Sequence, residues 1–319
     1  MASEVKTILA LAVGPKLDPV EITPDFKASD DVRPYVLGLR AGLSSFAAAG
    51  DPDIRIYYKE ADVQHLEDVL RDALDGTSLI FPMSTSALKA AMCVTSTVPI
   101  VFPSCSDPVA DGVVDSYARP GRNATGLSAL RSQTADDCVE FFKLTVPSLK
   151  EVYALHKPNY QPAVRPIAKC QLVARELGMT FHPRAVRTPE DIDAVLGTIT
   201  QHGSEGAPER GVMLLPDDFC FSQSPKIIDV TLRRRLPCFH ALPDWVRESG
   251  RSALAAYGMS QDSCGRAVAD YVRLILRGEA QPQTLPVKRG GMFEFKVSHA
   301  VADELDIPIP SFVDQMWDP

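Results

Sequence analysis

The chain has 319 residues, 45% of them hydrophobic and 23% charged, with a formal net charge of −8. That length exceeds the range in which a single core keeps growing, so two domains are expected. The acidic balance excludes broad, non-specific nucleic-acid binding, which needs a basic footprint against phosphates.

Apolar, strand-like runs alternate with helical periodicity along the chain, the signature of βαβ units around parallel sheets. Lys6 to Val13 is the first strand. Pro34 to Ala49 sets Tyr35, Leu39, Leu43 and Phe46 on one helical face and ends at Gly50. Asp53 to Tyr58 alternates as a strand, Val63 to Leu74 is an amphipathic helix, Ser78 to Pro82 a strand and Thr85 to Thr95 a helix. Val98 to Phe102 is a β-branched run suited to a strand covered on both faces. Ser104-Cys-Ser-Asp107 follows at its carboxyl end, the edge where open α/β sheets take ligands. Pro108 can open a helix at its first turn, Arg119-Pro-Gly-Arg-Asn123 breaks it, and Asn123 to Leu127 can leave the first lobe.

The second lobe repeats this pattern. Helices are expected over Thr134 to Thr145, Val164 to Leu177, Ile192 to Gln201, Pro225 to Arg235 and Cys264 to Arg277. Strands are expected over Glu151 to His156, Thr180 to Val186, Gly211 to Leu215, Pro237 to His240, Ala253 to Tyr257 and Phe293 to Val297. A turn-rich loop spans His202 to Pro208, and a short helix over Ala300 to Leu305 closes the pattern.

No segment approaches the ~20 apolar residues of a membrane-spanning helix, so direct membrane insertion is not expected. Met1 to Lys6 lacks the basic and apolar regions of an export signal. The seven cysteines are widely spaced, with no C-x-x-C pair, and read as buried thiols. Both features leave a cytoplasmic location open; an extracytoplasmic one requires a trimmed signal.

The usual catalytic signatures are missing: no G-x-S-x-G elbow, H-E-x-x-H helix, phosphate-binding G-x-x-x-x-G-K or G-x-G-x-x-G after a strand. The six histidines show no i, i+4 pair, so neither a metal nor a cofactor is expected. Cys105 and Cys220 fall in strand-end loops, which makes a two-lobed, cysteine-dependent racemase or isomerase the sharpest enzymatic alternative. A transcription regulator would need a helix-turn-helix ahead of the first strand, and Met1 to Val5 leaves no room for one. A cytoplasmic small-molecule sensor without a DNA-binding domain stays open.

Ser106-Asp-Pro-Val109 and Ala118-Arg-Pro-Gly-x-Asn-x-Thr-Gly-Leu-Ser128 resemble the TrpX-like family of ABC transporter substrate-binding proteins. Leu232-Arg-Arg-Arg-Leu-Pro237, Ala256-Tyr-Gly258, Tyr271 to Leu285, Phe293-Glu-Phe295 and Ala302 to Pro308 continue the likeness in family order. The resemblance implies a type 1 periplasmic-binding-protein fold: α/β, two doubly wound parallel-sheet lobes joined by a multi-crossing hinge, with a ligand cleft between them. It places the lobes at 1–126 plus 257–284 and at 127–256 plus 285–319. It further implies a solute-binding component of an ABC importer that closes around a small organic ligand, aromatic or amino-acid-like, and hands it to permease transmembrane subunits.

On that fold Gly14 to Leu17, Met83 to Ser86 and Ser104 to Asp107 border the cleft from the first lobe, with His156 to Tyr160 and Pro216 to Phe219 facing them. Ser84 and Thr85 precede a helix, where a hydroxyl caps and free N–H groups meet a ligand carboxylate, or where the cap is all there is. Asp107 can accept from a ligand ammonium or hydroxyl, with Ser104 and Ser106 as partners, or can cap the helix at Pro108. Asp217 can fix a ligand donor or act as a cap. Phe219, Tyr160 and Trp245 can supply aromatic surface. Arg119, Gly121 and Asn123 read as structural.

Overall fold

The computed structural model describes residues 5–14, 18–23, 26, 32–45, 52–199, 208–247, 250–291 and 293–316. The loop expected at Pro15 to Leu17, the helix end at Phe46 to Gly50 and the stretch Thr200 to Ala207 lie outside them. The chain divides into two compact units, Met1–Leu130 with Gln261–Met292 and Arg131–Ser260 with Phe293–Pro319.

Unit 1 begins with β1 (Val5–Val13), β2 (Val20–Glu21), α1 (Pro34–Ser45), β3 (Asp53–Ala61), α2 (Leu66–Ala73), β4 (Leu79–Pro82), α3 (Thr85–Val94), β5 (Ile100–Cys105) and β6 (Ala124–Ser128). Unit 2 follows with α4 (Ala135–Thr145), β7 (Glu151–His156), α5 (Gln161–Val164), α6 (Ile167–Glu176), β8 (Thr180–Ala185), α7 (Pro189–Thr198), β9 (Arg210–Leu214), α8 (Asp218–Ser222), α9 (Ser224–Arg233), β10 (Cys238–His240) and β11 (Ala255–Gly258). The chain returns to unit 1 for α10 (Gln261–Ala267), α11 (Ala269–Leu276) and β12 (Lys288–Arg289), and ends in unit 2 with β13 (Glu294–Val297), α12 (His299–Glu304) and α13 (Ser311–Met316).

The sheets run β12-β6-β5-β4-β1-β3-β2 and β13-β11-β10-β9-β7-β8. All pairings are parallel except β2 with β3 and β11 with β13. Successive side chains of a strand point to opposite faces, and here both faces are buried. In β7, Val152 and Ala154 pack with Val139, Phe142 and Cys170 of α4 and α6, while Tyr153 and Leu155 pack with Ile192 and Leu196 of α7 and Ile227 and Ile228 of α9. In β1, Leu9, Leu11 and Val13 pack with Leu66, Leu70 and Leu88 of α2 and α3, and the alternate residues Ile8, Ala10 and Ala12 are buried as well. The continuous apolar runs in the sequence are thus sheet strands covered by helices on both sides.

Several expectations are corrected. The strand expected to stop at Phe102 continues to Cys105. Its register with β6 shifts between Phe102 and Cys105, where Pro103 has no N–H to give the ladder. Pro108 opens one turn and no helix: Asp107 accepts the Ala110 N–H on its carboxylate at 3.0 Å and the Asp111 N–H on its carbonyl at 2.9 Å, and Gly112, at φ +70°, ends the turn. The helix expected over Val164 to Leu177 breaks at Pro166, and that over Cys264 to Arg277 breaks at Val268, where φ is −111° and ψ 2°. The chain passes between units at 130/131, 260/261 and 292/293, later at each passage than expected. The stretch after 284 is held in unit 1: Thr125 donates to the Leu285 carbonyl at 2.8 Å, Val287 N–H to the Tyr117 carbonyl at 2.7 Å, and β12 pairs with β6.

Candidate functional site

Among its parallel strands, each sheet reverses its strand order once. β1 lies between β3 and β4, and β7 lies between β8 and β9. At such a reversal the loops leaving the two central strands diverge, and room for a ligand opens at the carboxyl edge. In unit 1 these are the loops after β1 and β4; in unit 2 they are the loops after β7 and β9.

In unit 1, Ser84 is the N-cap of α3, and its Oγ accepts the Ala87 N–H at 3.1 Å. Thr85 is buried, and its hydroxyl donates to the Cys105 Sγ at 3.9 Å. Ser104 and Ser106 are buried at the end of β5 and just beyond it. Asp107 is half-buried, and one of its carboxylate oxygens holds the Ala110 N–H. Cys105 lies within β5, fully buried, and not in a loop. Burial, reinforced by the Asp111 carboxylate 3.7 Å from its sulfur, pushes its thiol far above the ordinary range.

Sequence reading missed Glu60, buried near the carboxyl end of β3. It accepts a short hydrogen bond from the Tyr58 hydroxyl and pairs with Arg33 at 3.3 Å, while Arg33 also donates to the Val13 carbonyl at 3.2 Å. The cluster ties the ends of β1 and β3 together. Nothing in the local pattern marks Glu60, because a charged residue at a strand end reads as solvated.

In unit 2, Asp217 is buried and is the N-cap of α8. Its Oδ1 accepts the Cys220 N–H at 2.9 Å and its Oδ2 the Lys157 N–H at 2.5 Å, so the carboxylate bridges the two loops that border the strand-order reversal. Burial raises its pKa, against the lowering effect of those N–H groups. Phe219 is half-buried, with the Lys157 ammonium 5.8 Å from its ring centroid. Tyr160 is half-buried against the unit 2 core, and its carbonyl accepts the Ala163 and Val164 N–H groups at 3.0 and 3.2 Å.

Cys220 sits inside α8 and not in a loop; burial first, then Asp217, holds its thiol well above the ordinary range. Trp245 is buried beside His240, at 5.8 Å between rings, and offers no open aromatic face. His240 is fully buried, accepts the Leu242 N–H on Nδ1 at 2.9 Å and therefore donates from Nε2 to Ser224 at 2.8 Å. Among the described residues no group of three or more His, Cys, Asp or Glu is placed to hold a metal ion.

At the first crossover, Asn123 donates to the Thr95 and Val98 carbonyls at 3.1 and 2.9 Å. Gly126 has φ +154°, and a Cβ there would stand 2.0 Å from the Phe102 carbonyl oxygen.

Residues 35–316 match the family of ABC transporter substrate binding proteins. The chain belongs to that family. The TrpX-like likeness read from the motifs stands with it. A tyrosine-binding protein of Clostridioides difficile is 22% identical over 207 residues, a stretch that spans 65% of this chain and 56% of that relative. The substrate-binding fold is shared with an ABC domain from Streptococcus pneumoniae solved in complex with L-Trp, at a TM-score of 0.77 and 20% identity over 98% of this chain and 99% of that one. A conserved domain protein of Vibrio cholerae superposes equally well, with a TM-score of 0.77 and 22% identity over 98% of each chain.

Proposed function

We propose that this substrate-binding protein is the solute-capturing component of an ABC importer, working outside the cytoplasm, and that it delivers a small aromatic, amino-acid-like molecule to permease transmembrane subunits. The observation that carries the reading is the family match over 35–316, on a chain whose two sheets each reverse strand order beside loops bearing polar and aromatic groups. The aromatic class is supported by the tyrosine-binding relative and the L-Trp complex, and in this chain by the half-buried Phe219 and Tyr160. Within unit 1, Thr85, Ser104, Ser106 and Asp107 are the candidate hydrogen-bonding groups for a ligand, and within unit 2, Tyr160 and Phe219 are the candidate aromatic surface. Ser84 and Asp217 hold their loops in place, since backbone N–H groups already occupy their oxygens.

No catalysis is part of this reading. A thiolate is the reactive form of cysteine, and both Cys105 and Cys220 are buried and held protonated. No helix among the described residues is long and apolar enough to cross a membrane, which fits a protein that meets its permease as a separate subunit.

A thermal-shift screen over amino acids, aromatic acids and nucleosides tests the proposal. A ligand that binds only the folded state adds about 2.7 kcal/mol at a hundred times its Kd, so L-Trp or L-Tyr should raise the melting temperature. Absence of any shift, together with substrate turnover that depends on Cys105 or Cys220, would replace the transport reading with the enzymatic one.

A further inference from the structure

We propose that Lys157 reads an acid: its ammonium, held beside Phe219 at the strand-order reversal of unit 2, pairs with the carboxylate of a ligand whose aromatic ring lies on Phe219. The inference rests on the solute-binding function proposed above and specifies its ligand.

Lys157 is the first residue beyond β7, and Phe219 lies in α8 beyond β9, so the two groups border the same reversal from opposite sides. The Asp217 carboxylate fixes their relation. By accepting the Lys157 N–H and the Cys220 N–H together, it pins the backbone from which each side chain departs.

The ammonium itself is left available. It lies 5.8 Å from the Phe219 ring centroid, close to the ~6 Å limit of a cation–π interaction, a contact to a ring face that uses none of its three N–H donors on an oxygen. Elsewhere in unit 2, Lys169 pairs with Asp136 and Lys226 with Asp193, each at 2.7 Å, and Lys143 donates to the Pro147 and Leu149 carbonyls at 2.8 and 2.7 Å. Lys157 makes no ion pair among the described residues. The neighbouring Asp217 carboxylate is turned to backbone N–H groups.

The arrangement therefore combines a cation without an ion pair among the described residues and a half-buried ring, the two features that an aromatic acid presents in complementary form. With only five residues, α8 offers no helix-end anion site of its own, so the positive charge on this side comes from the lysine.

Isothermal titration with L-Trp, L-Tyr and their decarboxylated counterparts tryptamine and tyramine tests the assignment on the full chain. The parent protein should bind the acids about tenfold or more tighter than the amines, the size of a charge-assisted hydrogen bond. Lys157→Met should lose about tenfold or more for the acids, leave the amines unchanged and so erase the preference. Lys157→Arg should retain it, and Lys157→Gln reproduces the Met result if the thioether disturbs the fold. Equal affinity of the Met and Gln variants and the parent for L-Trp or L-Tyr would overturn the role of Lys157 while leaving the solute-binding function standing. Failure of the parent itself to bind any aromatic acid would overturn the Lys157 assignment and the aromatic ligand class together.

Discussion

Asp217 spends its whole carboxylate on the backbone, one oxygen capping α8 and the other holding the loop after β7. Removing it leaves two N–H groups without partners in a buried place. Asp217→Ala should cost about 1–3 kcal/mol in urea unfolding, and it should also weaken ligand binding by loosening the mounts of Lys157 and Phe219. Asp217→Asn keeps an oxygen for one N–H but turns an amide donor on the other, and should fall between Ala and the parent in the same titration. The capping half of this role was readable, because Asp followed by a short helix after a buried strand is a local signal. The bridging half was not: its partner is 60 residues away, and only the fold brings the two together. The same holds for Glu60, whose partner Arg33 lies outside its own strand.

At the scale of elements, the packing of α1 on α10 governs the completeness of unit 1. A Cβ on Gly38 would meet the Asp262 carbonyl oxygen at 2.0 Å, and one on Gly265 would meet the Tyr35 carbonyl oxygen at 2.0 Å. Both obstacles are backbone, so the helices can admit a methyl group only by moving apart. Gly265→Ala should therefore destabilise the protein by about 1–3 kcal/mol, read as a lower urea midpoint, as overpacking of a close contact does.

Long elements were legible because β-branched runs and helical periodicity extend over enough residues to show a period. The strands β2 and β12, two residues each, are too short to show one. The helix expected after Pro108 failed for a different reason. Proline at a first turn and aspartate before it are equally good signals for a single turn, and the positive φ of Gly112 closes it there.

For the molecule as a whole, the acid side of the stability profile should carry the mark of His240. Burial, with the Arg131 charge adding to it, pulls its imidazole down to about 3, whereas an unfolded histidine takes its proton near 6.5. Between those values the unfolded chain binds the proton and the folded one does not, so stability falls as pH drops from about 6.5 towards 3 and is fully present above it. Melting curves of the parent and His240→Asn across that range should show a shallower pH dependence in the variant, with a lower starting stability at pH 7 from the altered hydrogen bonds to Leu242 and Ser224. Two lobes of alternating strands and helices were visible in the sequence, as was the family. The places where the chain passes between them were less so, because a strand that finishes one sheet and the linker that follows have the same composition.

The triple passage also bears on how the chain is made. Residues 1–130 emerge first, yet α1 is closed over by α10, and β6 gains its outer neighbour only at Lys288 and Arg289. The second unit likewise waits for β13, which pairs with β11 only after Glu294 has been added. Neither unit has its full set of strands before nearly the whole polypeptide exists. A chain that stopped before Lys288 would therefore leave both sheets short of an edge strand.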